Sequence, residues 1–273
     1  MDSARDEPRR SVVTPIAQPR GELADLVLAS FPETKMRDLV VPEELRRRLC
    51  QVVVEQRQRH SLMEQGFHPI HRLLLQGPPG TGKTMTASVI AHELDLPLLT
   101  IRLDSVLSKY LGETGSKLRV VFDAVAAQRA VYLFDEFDAL GGDRAGNDVG
   151  EARRILNSFL VFLDGAGAKS VVIAATNHPT ILDRAIFRRF DVIIDYALPE
   201  PADAVAVMRA RLGSLGEAID WDAVQPRTKG LSHADLVRAA ESSAKSALLS
   251  GERRVTAGRL AHALEERSGT IGA

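Results

Sequence analysis

Two short stretches carry the residue types that handle phosphate. Gly77-Pro78-Pro79-Gly80-Thr81-Gly82-Lys83-Thr84 satisfies G-x-x-x-x-G-K-[ST]. Glycines let backbone N–H groups converge on phosphate oxygens, and the N-terminus of a following helix adds a fixed positive partial charge. In this spacing Lys83 reaches the β- and γ-phosphates and the Thr84 hydroxyl ligates Mg²⁺, with Met85 next on the nucleotide-binding helix. Further along, Val131-Tyr132-Leu133-Phe134 runs straight into Asp135-Glu136. Two carboxylates at the tip of a buried strand are costly unless metal or water uses them. Tips of parallel strands are also where open α/β sheets bind ligands. Asp135 is therefore the expected Mg²⁺ holder, directly or through water, and Glu136 the residue that polarises the attacking water. Taken alone, the first motif has an accidental glycine turn as its alternative and the second an ordinary strand end with solvated acids. Together they predict hydrolysis of ATP or GTP.

The surrounding pattern supplies the scaffold. Leu73-Leu74-Leu75 precedes the glycine loop, and a helix is predicted from about Lys83 to Leu94. Leu98 to Ile101, Val131 to Phe134, Val171 to Ala175 and Val192 to Ile194 read as four further strands. Short apolar runs alternating with helical stretches predict an α/β fold, a parallel sheet covered on both faces. After Pro199-Glu200-Pro201 the strands stop, and helices are expected from Ala202 to Leu212, Ser232 to Leu249 and Thr256 to Arg267. Ser232 and Asp235 form a capping-box-like start for the second of these. Ahead of the sheet, residues 1 to about 20 read as a flexible arm. Leu23, Leu26, Val27 and Phe31 recur at helical spacing and predict a short amphipathic helix. Pro42-Glu43-Glu44 opens the next helix, which continues through Leu45, Leu49, Val52 and Val53. The division expected is an arm over 1–35, a large α/β domain over 36–199 and a helical domain over 200–273.

Composition narrows the function classes. The chain has 273 residues, 45% of them hydrophobic, so it can bury a core. Thirty-five Lys and Arg against 36 Asp and Glu leave a net charge of −1, and no overall field draws nucleic acid or a membrane surface. A single cysteine, Cys50, excludes an internal disulfide. The first residues carry no apolar signal core, and no apolar run reaches the ~18 residues a spanning helix needs. A cytoplasmic protein is expected.

With these residues in view, the chain resembles the AAA+ ATPases, in the branch of katanin, spastin, the proteasomal ATPases and the membrane-anchored AAA proteases. The likeness runs from about residue 37 to about residue 267. Gly77 to Thr84 is similar to the family's Walker A, Asp135-Glu136-Phe137-Asp138-Ala139 to its Walker B, and Ala175-Thr176-Asn177 to its sensor 1. The resemblance implies a P-loop NTPase sheet sandwiched by helices and followed by a small all-helical lid domain, with ATP and Mg²⁺ as cofactors. It also implies that Asn177 orients the water beside Glu136. Leu182 to Asp191 resembles the arginine-finger segment without its Pro-Gly spacer, so Arg188 and Arg189 are both candidates to reach a neighbouring subunit's γ-phosphate. Gly230-Leu231-Ser232-His233-Ala234-Asp235-Leu236 resembles the lid motif GxSGADL, with His233 in place of a glycine. His233, Ala234 and Val207 are the implied adenosine contacts. Arg102 falls where the family carries a polar residue that restrains the catalytic glutamate.

Ser108 to Thr114 resembles pore loop 1, in which Lys109, Tyr110, Leu111 and Gly112 would grip a polypeptide in the central channel of a ring. Tyr110 offers a rigid apolar face that binds without reading sequence. Gly141 to Asp148 fits pore loop 2. The implied function is an ATP-driven ring motor, a homo-oligomer of hexamer type, that unfolds or remodels protein substrates. No His-Glu-x-x-His zinc helix is present, so a separate protease or effector protein is the expected partner. The rival reading is an ATP-dependent assembly switch on DNA or a nucleoprotein complex, against which the Tyr110-Leu111-Gly112 triplet and the near-neutral charge both weigh.

Overall fold

Alternating side chains on the apolar runs leave toward opposite faces of a strand, and here both faces are covered. Leu74, Tyr132, Phe134, Val172 and Ala174 pack into one core, while Leu73, Leu75, Leu133, Ile173 and Ala175 pack into another. Full burial of each Leu contributes roughly 1.5–3 kcal/mol, which is why such runs settle as central strands. The structure is a computed structural model and is described for residues 19–108, 112–140 and 149–271.

The strands are β1 (Val27–Ser30), β2 (Arg72–Gln76), β3 (Leu98–Ile101), β4 (Val131–Phe134), β5 (Val171–Thr176) and β6 (Val192–Asp195). The helices are α1 (Glu22–Leu26), α2 (Glu43–Arg57), α3 (Arg59–Glu64), α4 (Lys83–Glu93), α5 (Leu103–Val106), α6 (Glu113–Ala127), α7 (Val149–Gly165), α8 (Arg184–Phe187), α9 (Pro201–Leu212), α10 (Trp221–Val224), α11 (His233–Leu249) and α12 (Ala257–Ile271). The sheet order is β1-β3-β4-β5-β2-β6, parallel throughout except for the β1–β3 pair. The first core takes in Leu118 and Phe122 of α6 and Phe159 of α7, and the second takes in Leu49 of α2 and Ile90 of α4. This is the expected α/β sandwich.

One expectation is corrected. The helix predicted across Leu23, Leu26, Val27 and Phe31 stops at Leu26, and Val27–Ser30 is an antiparallel edge strand against Leu98–Ile101. The periodicity misleads because Leu28 and Phe31 are exposed while Val27 alternates inward as a strand residue does. The sheet therefore reaches ahead of residue 36.

From Pro201 onward the described residues form helices and turns around a third core, which includes Ala204, Val207, Met208, Leu236, Ala240, Leu260 and Leu264. Ser232 caps α11: its hydroxyl accepts from Asp235 N at 3.3 Å, and its own N–H donates to Asp235 Oδ2 at 3.2 Å. Among the described residues, no helix is long and apolar enough to cross a membrane.

At the end of the sheet where β2 begins, Asp191 ties β2 to the entry of β6. Its carboxylate accepts from His71 N (3.0 Å), Arg72 N (2.9 Å) and the Arg72 guanidinium (2.6 Å). Burial alone would raise its pKa, but the hydrogen bonds from His71 and Arg72 and the charge of His71 hold it well below its ordinary value. The folded state therefore keeps this group ionised where the unfolded chain takes up a proton. The stabilisation is complete above the ordinary carboxylate value of 3.8 and is lost as pH falls below it. Asp191→Asn is expected to cost about 1–3 kcal/mol at pH 7. In denaturant titrations the gap to wild type narrows below about pH 4; a gap independent of pH would refute the assignment.

Candidate nucleotide site

Parallel pairing sets where the loops emerge. Gln76 lies opposite Thr176, and Phe134 lies opposite Ala174. The glycine loop after β2, Asn177 after β5 and Asp135-Glu136 after β4 therefore leave the sheet side by side at the carboxyl ends of their strands.

The loop requires its glycines. Gly77 has φ +143°, and a Cβ there would stand 2.1 Å from the Tyr196 carbonyl oxygen. Gly80 has φ +73°, and its Cβ would meet Ser232 Oγ at 2.6 Å. Gly82 caps α4 in the left-handed region at φ +104°. Inside this turn Lys83 Nζ donates to Gly77 O and Pro78 O, each at 2.7 Å, and the buried Thr81 hydroxyl donates to Pro78 O at 2.8 Å. Burial lowers the Lys83 pKa, and the charges of Asp135 and Asp138 oppose that shift. An ammonium carries three donors, so one remains for a phosphate oxygen.

Thr84 and Asp135 meet across the cleft, with Thr84 Oγ1 donating to Asp135 Oδ2 at 2.7 Å. The other carboxylate oxygen accepts from Glu136 N at 2.9 Å. A hydroxyl and a carboxylate in contact are the hard oxygen ligands Mg²⁺ takes when phosphates and water complete its shell. Among the described residues no cluster of three or more His, Cys, Asp or Glu could hold a metal unaided. The pair fits a cation that arrives with a nucleotide. Glu136 has φ +50°, a left-handed conformation that costs a non-glycine residue about 1–3 kcal/mol. The following turn, Phe137–Leu140, holds it there: Phe137 is fully buried, its ring centroid 4.7 Å from that of Phe159.

Asp138 joins this turn to the end of β5. Its Oδ1 accepts from Thr176 Oγ1 at 2.7 Å and from Asn177 N at 3.3 Å. On the opposite wall, Ala234 N donates to Gly80 O at 3.0 Å, bringing the start of α11 onto the phosphate loop. The result is a cleft of about 410 Å³ lined by Pro79, Gly80, Gly82, Lys83, Thr84, Met85, Asp135, Glu136, Asn177, His233, Ala234 and Val237.

Most residues singled out in the sequence are thus brought together, with the Gly77 and Pro78 carbonyls accepting from Lys83 and Thr81 buried beneath the loop. Val207 is not brought to the cleft; it is buried in the core between the C-terminal helices. Arg102 caps α5 and pairs with Asp104 at 3.6 Å. Arg189 pairs with Asp164 of its own chain at 2.5 Å, whereas Arg188 is exposed and has no ion pair among the described residues. Lys109, Tyr110, Leu111 and the stretch 141–148 lie outside the described residues; Gly112 caps α6 with φ +87°. Sequence reasoning missed Asp138 as a coupling residue, although it stands inside the acidic motif. It also missed Val237, whose signal is its helical spacing from His233 and Ala234.

Because the Gly77 backbone leaves no room for a Cβ, Gly77→Ala is expected to lower stability by at least about 1–3 kcal/mol and to abolish nucleotide binding. Wild-type melting and wild-type affinity for a fluorescent ATP analogue would count against this geometry.

Comparison with known proteins identifies the family. The sequence profile of the ATPase family associated with various cellular activities (AAA) matches residues 73–198. An uncharacterized AAA family ATPase, y4kL, of Sinorhizobium fredii is 34% identical over 248 residues, which cover 90% of this chain and 74% of that protein. The ATP-dependent zinc metalloprotease FtsH 3 of Sphaerobacter thermophilus is 34% identical over 256 residues, which cover 90% of this chain and 52% of that protein. Among solved structures, the FIGL-1 AAA domain matches with a TM-score of 0.70 at 26% identity, covering 88% of this chain and 85% of that one. Identity at this level along almost the whole chain, on a shared fold, makes it a member of the AAA family of ATPases.

Proposed function

We propose that this chain is an ATP-hydrolysing motor that remodels protein substrates. Membership of the AAA family implies ATP binding and hydrolysis, and AAA ATPases generally assemble into rings. The observation that carries the hydrolytic reading is the Thr84–Asp135 contact at 2.7 Å beside the strained Glu136.

In this reading Gly77 to Thr84 wrap the phosphates, and Lys83 neutralises charge on the β- and γ-phosphates. Thr84 and Asp135 hold Mg²⁺, which supplies charge stabilisation when bound. Glu136 takes up the proton of the attacking water, and Asn177 orients that water. Phosphoryl transfer depends on positioning and charge, and the Asp138 bridge fixes the Asn177 backbone relative to the acidic turn. Arg188, without a partner in its own chain among the described residues, is the better-placed finger for a neighbouring subunit; Arg189 is tied to Asp164. Residues 36–199 act as the ATPase domain and 200–273 as a helical lid, coupled through the Ala234–Gly80 hydrogen bond. The substrate role rests on Lys109-Tyr110-Leu111-Gly112, whose aromatic–aliphatic–glycine triplet suits a sequence-blind grip on polypeptide. A hexameric ring and a separate protease or effector partner belong to the same proposal.

Lys83→Ala is expected to lose ATP binding. Glu136→Gln keeps binding and lowers turnover by about 10²-fold or more; wild-type phosphate release from either variant would sink the site assignment. The motor reading is tested by ATPase rates with and without an unfolded model protein. Stimulation in the wild type and its loss in Tyr110→Ala are expected. Flat rates with polypeptide, together with stimulation by DNA, would favour the assembly switch instead.

A further inference from the structure

Tyr196 is buried and lies outside the lining of the cleft, yet it touches both ends of the glycine loop. It follows β6 directly and precedes the stretch 197–200 that leads into α9. Its hydroxyl lies 2.5 Å from Thr86 Oγ1 on α4, and Thr86 Oγ1 in turn donates to Gly82 O at 3.0 Å. Thr86 has a single hydroxyl proton, and that proton is spent on Gly82. Tyr196 is therefore the donor in its contact with Thr86. Burial pushes its hydroxyl up to about 12 while the hydrogen bond to Thr86 opposes the shift, so the donor keeps its proton near pH 7. The two hydroxyls form a relay that ends on the last glycine of the loop. A threonine hydroxyl bonded to the carbonyl four residues back is common in helices; a phenol from another element holding that threonine is the feature to explain. The Tyr196 backbone meets the other end of the same loop. Its N–H donates to Gln76 O at 2.7 Å, and its carbonyl oxygen occupies the space that a Cβ on Gly77 would need. One residue grips the loop both where it leaves β2 and where it enters α4.

We propose that Tyr196 is a positioning residue for the phosphate chain of the nucleotide: through Thr86 at one end and Gln76 and Gly77 at the other, it holds the glycine loop in the shape that receives phosphate. This rests on the nucleotide-site reading above. A loop whose N–H groups already converge loses less freedom when an anion arrives. The Tyr196 hydroxyl therefore contributes to affinity for phosphate and takes no part in recognising the base.

The test is displacement of a fluorescent ATP analogue from the full chain by ATP and by inorganic tripolyphosphate, each with Mg²⁺, well below the melting temperature of every variant. Tyr196→Phe keeps the ring and removes the hydroxyl. It is expected to weaken ATP and tripolyphosphate alike, by about tenfold. Thr86→Val breaks the same relay and weakens both ligands at least as much. The double variant binds about as well as Thr86→Val alone, because the two hydroxyls act as one unit. Thr86→Ser keeps the relay and stays within about threefold of wild type for both ligands. Unchanged affinities in Tyr196→Phe, with only a lower melting temperature, would make the contact a matter of core packing and overturn the proposal. A loss for ATP but none for tripolyphosphate would move the effect to the nucleoside and overturn it too, as would losses that multiply in the double variant. Tripolyphosphate that fails to displace the analogue from the wild type would do the same. Should Tyr196→Phe not fold, equal binding by Thr86→Val and Thr86→Ser would overturn it. A wild type that binds neither the analogue nor ATP would instead refute the nucleotide site itself.

Discussion

The parallel register of β4, β5 and β2 is the constraint from which the site follows. Each strand is buried on both faces, so a slip by one residue would exchange the side chains of two separate cores. With the register held, Gln76 opposes Thr176 and Phe134 opposes Ala174. The glycine loop, the acidic pair and Asn177 then emerge at one edge with no freedom to be elsewhere. The backbone makes the same point between strands: Gly77 N donates to Thr176 O at 3.2 Å, carrying the β2–β5 pairing one residue into the loop.

On that frame the charges are arranged at close quarters. Lys83 is buried among its own loop carbonyls and lies within the fields of Asp135 and Asp138. Asp135 is shared between a hydroxyl from the loop and the backbone of the next residue. Asp138 is spent on β5, through Thr176 and the Asn177 backbone. Three acidic residues in one short turn thus have different tasks, and the difference comes from which neighbour each meets. The left-handed Glu136 is the cost of turning sharply enough to present a carboxylate at the cleft, and Phe137, packed against Phe159, keeps that turn in place.

The two ends of β2 are tied differently. At its carboxyl end the glycine loop accepts a hydrogen bond from α11, so the C-terminal helices rest on the loop's backbone. At its amino end Arg72 bonds Asp191 and lies 3.8 Å from Asp164, which in turn holds Arg189. One strand therefore joins the nucleotide cleft to a chain of charges ending at a candidate finger.

The motif residues and the five apolar runs were legible because their signals are local: a glycine spacing, a strand leading into acids, a capping Ser three residues before an Asp. The α/β class, the glycine loop, the acidic pair after β4 and the helical C-terminal part all follow from such patterns. The edge strand Val27–Ser30 was hidden because its identity depends on a partner, Leu98–Ile101, that no local period can show. Val207 was ambiguous for a similar reason, since an apolar residue at helical spacing suits a cleft wall and a core equally; the fold buries it in the core that also holds Leu236 and Leu260. Likewise Asp138 as a bridge and Arg189 as a paired rather than a free arginine are facts about neighbours distant in sequence. The sequence by itself determined which chemistry this protein is equipped for, because that depends on residue types and short spacings. Which groups meet, which are spent on one another and which are left open was decided by the tertiary structure, because a hydrogen bond or an ion pair exists only between atoms that the fold has brought within reach.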